Sequence, residues 1–261
     1  MKVAILYICT GLYSQFWNGF YESCNKYFLK DIADKHYFVF TDDISIAQQE
    51  NVTVVPKKFE GFPDDSLYRF RTFLWKEEEL KRFDYIFFFN SNIRFIRHIG
   101  AEILPSDEEG LVGFRGPGSF KYEKTPSLYG FERNKRSTAY IPPFKGPYKY
   151  FSGAANGGTS AAYLAMTREL CENVQKDKDN GIVALVHDES HINCYMHNHK
   201  PKELGVDYMW PESDVVPSSI KVLLIDKTKF NDYFNKGRKK GKFARVRKGI
   251  WKIVWALRWY I

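Results

Sequence analysis

Residues 84–95 read DYIFFFNSNIRF. Ile86 to Phe89 are four apolar residues in a row, and they run directly into Asn90, Ser91 and Asn92. A short unbroken apolar run suits a strand buried on both faces, as in a parallel sheet. In open α/β sheets, ligands bind at the carboxyl ends of strands. The abrupt change to short polar side chains therefore marks a candidate site. Two uncharged asparagines there raise the question of which ions such a site can hold.

The surrounding sequence fits the same architecture. KVAILYI (residues 2–8), HYFVFTDD (36–43) and NVTVVPKKF (51–59) read as further strands. Between the first two, residues 14–33 carry apolar side chains at Phe16, Phe20, Cys24, Tyr27 and Phe28, which is helical spacing. Residues 66–83 predict one long helix with Ser66 as its N-cap. Alternation of strand and helix predicts an α/β fold with a mainly parallel, Rossmann-like sheet flanked by helices. Thr41-Asp42-Asp43 marks a second polar strand end.

The later sequence is less regular. Residues 115–150 are dense in Gly, Pro, Tyr and charge, which predicts loops lining a cleft, with an edge hairpin at most. Residues 159–177 predict a helix capped by Thr159 or Ser160. GIVALV (181–186) predicts a strand leading into HDESH (187–191) and a helix. Segments 201–212 and 221–227 predict closing strands.

With 261 residues, 44% of them apolar and 17% aromatic, the chain has ample material for a packed core, which excludes wholesale disorder. Cys9, Cys24, Cys171 and Cys194 form no Cys-x-x-Cys pair, and the expectation is free, structural thiols in a reducing compartment. No apolar run reaches the ~20 residues of a membrane span. The expectation is that Met1 opens a first strand and not a signal peptide. The net charge of +8 suggests nucleic acid until it is located. Residues 237–261 hold nine basic and no acidic side chains, leaving the remainder at −1. Basic character thus belongs to the tail, and no nucleic-acid partner is expected.

HDESH offers chemistry where a buried run turns into a helix. A carboxylate there is desolvated and lies near the positive end of the helix dipole. A plain capping role for Asp188 is one reading. A zinc site on His187 and His191 is another, although Asp188 stands where zinc hydrolases place glutamate and no third ligand is evident. YFSGAANGGTS (150–160) lets backbone approach a ligand ahead of a helix N-terminus.

Taken together, FDYIFFFNSNIRFIRHIGAEIL, FERNKRSTAYIP, GGTSAAYLAMTRELC and DNGIVALVHDESHINCYMHNHKP resemble one family. It comprises the retaining α1,3-galactosyl- and N-acetylgalactosaminyltransferases of glycosyltransferase family six, which includes the blood-group A and B enzymes. The resemblance runs from about Val3 to Lys229. It implies a GT-A fold, a UDP-sugar donor and retention of anomeric configuration. By position, Ile8, Cys9, Thr10 and Tyr13 would contact uridine, and Arg69 would bind the donor. Asn90 and Asn92, flanking Ser91, fall on the family's two metal-binding aspartates. Ser152, Gly153 and Ala154 match the segment that selects galactose or N-acetylgalactosamine. Lys227 or Lys229 would meet the diphosphate. His187, Asp188 and Glu189 match the catalytic region, with Glu189 as its essential carboxylate. Val186, His187 and Glu189 would face the acceptor.

Two departures carry consequences. Val186 replaces a tryptophan of the vertebrate enzymes, so acceptor contacts must differ. The asparagines resemble those of metal-independent bacterial members, so no metal or other cofactor is expected. The expected reaction moves N-acetylgalactosamine from UDP-GalNAc onto a galactose bearing an α1,2-fucose. UDP-galactose as donor, or an inactive glycan-binding relative, are the alternatives. The expected domain plan is a catalytic unit over 1–236, divided near 110 into nucleotide-sugar and acceptor halves, followed by a tail over 237–261. Phe243, Val246, Ile250, Ile253, Val254, Leu257 and Ile261 keep helical spacing beside Trp251, Trp255 and Trp259. Such a basic amphipathic helix predicts peripheral contact with an anionic, cytoplasmic membrane face; a terminal helix docked on the domain, or an RNA-binding extension, is the alternative.

Overall fold

The computed structural model describes residues 1–235 and 254–260. One seven-stranded sheet organises the chain. Its strands are β1 (Lys2–Ile8), β2 (Asp34–Thr41), β3 (Val52–Pro56), β4 (Tyr85–Phe89), β6 (Leu111–Phe114), β7 (Ala155–Thr159) and β8 (Lys202–Leu204), with β5 (Ile93–Phe95) placed elsewhere. The order is β3-β2-β1-β4-β7-β6-β8. Strands β3, β2, β1 and β4 are parallel neighbours, and only β7 runs against its neighbours. The mixed α/β architecture and the mostly parallel sheet agree with the sequence expectation. A small second sheet joins β5 to β10 (Val222–Leu224) and β9 (Trp210–Pro211).

Period-two alternation divides β1 and β4 between two cores. Val3, Ile5, Tyr7, Phe87 and Phe89 pack against helix α1 (Trp17–Tyr27). Ala4, Leu6, Ile86 and Phe88 pack on the other face against α3 (Arg69–Leu74) and α6 (Ser160–Asp179). The phenylalanines of β4 are fully buried or nearly so, each contributing about 2–3 kcal/mol of burial free energy. The Gly157 position in β7 follows from the same crowding. A Cβ there would stand 2.3 Å from the Phe87 ring.

Several local expectations are corrected. Residues 66–83 form three short helices, α2 (Asp64–Leu67), α3 and α4 (Glu77–Leu80). Tyr68 and Lys76 leave helical geometry between them, in a stretch rich in aromatic residues of modest helix propensity. Ser66 lies inside α2 and caps nothing. A 3-10 turn over Gly11–Phe16 precedes α1, which ends at Tyr27. Residues 181–186 are not a strand. Their side chains alternate, with Ile182 and Ala184 buried and Val183 and Leu185 exposed. The segment pairs with no strand, and Leu185 N–H donates to the Glu132 carboxylate instead. Apolar periodicity was present there without a sheet edge to receive it.

Segment 115–150 is mostly irregular, as expected, with only α5 (Pro117–Lys121) and a 3-10 turn at Pro126–Leu128. Thr159 caps α6, its hydroxyl accepting from Ala162 N–H at 3.3 Å. Helix α7 covers Asp188–His199. The four cysteines are free. Among the described residues no helix is long and apolar enough to cross a membrane. Most of the expected tail helix, residues 236–253, lies outside the described residues.

Candidate active site

The carboxyl ends of β1 and β4 open into one pocket, lined by Ile8, Thr10 and Tyr13 on one side and by Asn90, Ser91 and Asn92 below. Because β7 is antiparallel to β4, its start lies at the same sheet edge. Asn90 N–H donates to the Ala154 carbonyl at 2.8 Å, which seats Ser152-Gly153-Ala154 beside the asparagines. Ser91 is anchored through its carbonyl, which accepts from the buried Tyr7 hydroxyl at 3.0 Å. The second polar strand end has a structural use: the Asp42 carboxylate accepts from Gly11 N–H and fixes the turn after β1.

The two asparagines differ. Asn92 donates its amide N–H to the Ile225 carbonyl at 2.9 Å and accepts from Ile225 N–H through its own carbonyl. The Asn90 side chain lines the pocket and makes no hydrogen bond to protein among the described residues.

Two cations border this pocket. Lys227 lies over the Tyr13 ring at 5.0 Å, with its ammonium 3.4 Å from the Tyr13 hydroxyl. Burial lowers its pKa, and no carboxylate pairs with it among the described residues. Lys229 instead pairs with Glu212 at 3.2 Å and does not line the pocket. Arg69 begins α3, where the break at Tyr68 turns it inward. Its guanidinium stacks on Phe88 at 4.6 Å, donates to the Gly153 carbonyl at 2.8 Å and pairs with Asp188 at 3.2 Å.

The HDESH segment meets this pocket from the other half of the chain. His187 precedes α7 with φ +52, an uncommon conformation that costs about 1–3 kcal/mol. It brings Asp188 and Glu189 into the first turn, facing the β7 start. The capping reading of Asp188 does not hold: His187 occupies the cap position and makes no side-chain cap bond. The Glu189 carboxylate accepts from Gly153 N–H at 2.6 Å and from the Tyr150 hydroxyl at 2.5 Å. Gly153 is thus clamped between Arg69 on its carbonyl and Glu189 on its N–H. A Cβ there would stand 3.1 Å from both Glu189 Cβ and Asp188 Oδ2, so glycine keeps the approach open.

Burial dominates the electrostatics. Desolvation raises Asp188 to about 7, against the Arg69 guanidinium. It also raises Glu189, against the Tyr150 and Gly153 hydrogen bonds and Arg69. A second pocket begins at Glu189, Tyr150 and Ser152 and extends along Gly116–Ser119 to Met209 and Leu224.

The remaining expected site residues fall less centrally. Cys9 is fully buried in the core and lines neither pocket. Val186 lies against Gly130, and His187 makes an edge contact with Phe62 at 4.7 Å. His191 is buried 3.8 Å from Asp177, so the two histidines do not converge on a common ligand position. Among the described residues no cluster of three or more His, Cys, Asp or Glu is arranged to hold a metal. Sequence reading missed Tyr150, as well as Phe59, Phe62 and Asp65 on the first pocket's rim. The aromatic density just before the small-residue run, YKYFSG, was the available signal for Tyr150.

A mostly parallel sheet flanked by helices, with cations and buried carboxylates gathered at its strand ends, is consistent with a GT-A-like glycosyltransferase. The sequence model of glycosyltransferase family 6 matches residues 1–234, and the chain belongs to that family. It is 34% identical to an O-antigen biosynthesis glycosyltransferase, WbnI, of Escherichia coli, over 90% of this chain and 99% of that protein. It is 31% identical to the rat histo-blood group ABO system transferase 2, over 77% of this chain and 60% of that protein. It is 28% identical to the chicken globoside alpha-1,3-N-acetylgalactosaminyltransferase 1, over 84% of this chain and 65% of that protein. The chain thus spans less than two thirds of these two vertebrate relatives. Family membership implies a nucleotide-sugar donor and a glycan acceptor.

Proposed function

We propose that this protein is a retaining α1,3-N-acetylgalactosaminyltransferase that uses UDP-GalNAc without a metal ion and acts on a galactose bearing an α1,2-fucose. The observation that carries the reading is the Gly153 clamp. It sets a buried carboxylate, Glu189, one peptide away from a pocket bordered by Arg69 and by Lys227, which pairs with no carboxylate among the described residues.

The donor set at the strand end does not fit a divalent cation. Such ions favour carboxylate oxygens, which repay dehydration, and Asn90 and Asn92 are neutral. One of the two amides is already committed to Ile225. The asparagines also remove negative charge from beside a diphosphate. Lys227 and the amide N–H of Asn90 are then the donors for the leaving UDP, with Arg69 behind them. Glu189 acts on the sugar side, either as the nucleophile of a double displacement or as the charge stabilising an oxocarbenium-like centre during front-side attack. Both routes need it ionised. In the second, the departing phosphate accepts the acceptor's proton. Ser152 is small and lines the space beside Glu189, which supports room for an acetamido group. The globoside relative's name points to the same sugar.

Purified protein would be given UDP-GalNAc or UDP-galactose and fucosylated lactose in excess EDTA, with the product's anomeric proton read by NMR. The expected outcome is an α-linked product, formed faster from UDP-GalNAc. A faster reaction with UDP-galactose would make the chain a galactosyltransferase. A β-linked product or a strict requirement for added Mn²⁺ would contradict the mechanism. We also propose peripheral contact of the tail with an anionic, cytoplasmic membrane face. It is supported by the exposed Val254, Leu257 and Tyr260 near the basic sequence. Cosedimentation with anionic vesicles that persists after the basic residues of 238–252 are neutralised would refute it.

A further inference from the structure

The terminal residues make contacts that this reading does not use. Trp259 is buried, 3% exposed, in a hydrophobic cluster with Tyr129, Phe131 and Ile141. Its indole N–H donates to the Ile141 carbonyl at 2.7 Å. Its ring lies 4.8 Å from Tyr148 and 5.8 Å from Phe131. One turn earlier, Trp255 receives the Arg133 guanidinium on its face at 3.9 Å. Phe131 and Tyr129 in turn pack on Tyr150 at 5.6 and 5.3 Å. Tyr150 is the residue whose hydroxyl donates to Glu189. A path of ring contacts therefore runs from the chain terminus to the candidate catalytic carboxylate.

Local structure explains why such bracing matters. Between Leu128 and Ala155 the chain has no helix or strand of its own. Tyr150 follows a long irregular stretch, so no continuous ladder of backbone hydrogen bonds fixes it. The next residue ties the backbone to α7, Phe151 N–H and C=O meeting the Asn193 side chain at 2.8 and 2.9 Å, and the Tyr150 ring is then set by what it packs against. Tyr129 and Phe131 supply one face, and Trp259 closes the cluster behind them.

We infer that Trp259 is a positioning residue: through Phe131 and Tyr150 it holds the Glu189 carboxylate in place, so the chain terminus is a working part of the catalytic half. The inference rests on the reading of Glu189 as the catalytic carboxylate. It assigns the terminal tryptophans to the protein and leaves Val254, Leu257 and Tyr260 as the outward face.

The test uses the full chain with Trp259→Ala, Trp259→Phe, Tyr150→Phe and the Trp259→Ala/Tyr150→Phe double variant. Peptide-resolved hydrogen exchange on the ligand-free protein reads the bracing without any need for activity. Trp259→Ala should speed exchange about tenfold across 148–154 and 187–193, while β1 and β4 stay protected. The rate–pH profile of UDP release reads the consequence. The Tyr150 hydrogen bond lowers the Glu189 pKa, so its loss moves the acid limb to higher pH. Trp259→Ala should move that limb in the same direction as Tyr150→Phe, and the double variant should move it no further. Trp259→Phe, which keeps a ring against Phe131 and Tyr148, should stay near wild type.

Exchange changes confined to 129–141, or an acid limb that does not move, would overturn the inference and leave Trp259 a purely structural anchor. Should Trp259→Ala fail to fold, Trp259→Leu, which keeps bulk without the ring, reads the same two quantities. A wild-type protein without transferase activity would refute the proposed function, and the exchange data would still decide the bracing.

Discussion

The floor and the wall of the site are built by different means. The floor, Asn90 to Asn92, continues a buried strand and is held by backbone pairing: Asn90 to Ala154, and Asn92 to Ile225. The wall, Tyr150 with Asp188 and Glu189, is held by its side chains, on one another and on the Gly153 backbone. Its contacts join residues far apart in sequence, from Arg69 to Asp188 and from Phe131 to Trp259. Substitutions at the floor should therefore tune donor binding and local stability. Substitutions at the wall should remove chemistry.

The largest effect short of Glu189 itself is expected at Arg69, which touches both regions. Arg69→Met leaves the buried Asp188 without its cation and frees the Gly153 carbonyl. UDP release should fall by about 100-fold or more, and unfolding by denaturant should show a loss of about 3 kcal/mol. A stable, nearly active variant would break the proposed link between floor and wall. Lys227→Met comes next. It removes a charge from the donor pocket without disturbing an ion pair, so the donor KM should rise about 10- to 30-fold with folding stability unchanged. An unchanged donor KM would place the diphosphate elsewhere.

The two asparagines sharpen the comparison within the floor. In Asn92→Asp a carboxylate faces the Ile225 carbonyl, which costs about 1–3 kcal/mol. In Asn90→Asp no protein hydrogen bond among the described residues is lost, so stability should hold while metal-free donor affinity falls. Equal stability costs for the two variants, read by thermal unfolding, would contradict the difference seen between them.

The last effect is a pH dependence. Burial raises Asp188 from 3.8 to about 7, so the folded protein holds this proton more tightly than the unfolded chain. Its contribution to stability is neutral below both values and becomes unfavourable as pH rises between them. Asp188→Asn removes that dependence. Relative to wild type, the variant should gain on the order of 1–3 kcal/mol between pH 4 and pH 8. A difference between the two proteins that is constant with pH would rule the shift out.

This division also explains what was legible in the sequence. Strands β1, β2 and β4 are short apolar runs buried on both sides, and the polar end of β4 announces the site locally, whereas that of β2 only fixes a turn. Asn90, Asn92 and Arg69 could be named that way or by family resemblance. The break at Tyr68 could not: aromatic residues only weaken a helix there, and the contacts that accompany the break, from Arg69 to Gly153 and Asp188, lie more than 80 residues away. The run at 181–186 misled for the opposite reason: it alternates as a strand does, but no sheet edge lies beside it. Tyr150 was passed over as one of many tyrosines in an irregular stretch, and only tertiary packing distinguishes it. Lys227 and Lys229 looked equivalent until Glu212 was seen to take the second.

The most direct test of the account compares UDP release by wild type and Glu189→Gln, each in excess EDTA and then with added Mn²⁺. The account predicts wild-type turnover unaffected by EDTA and a loss of about 1,000-fold or more in the variant under both conditions. Turnover by Glu189→Gln close to wild type, or wild-type turnover that appears only with Mn²⁺, would contradict it.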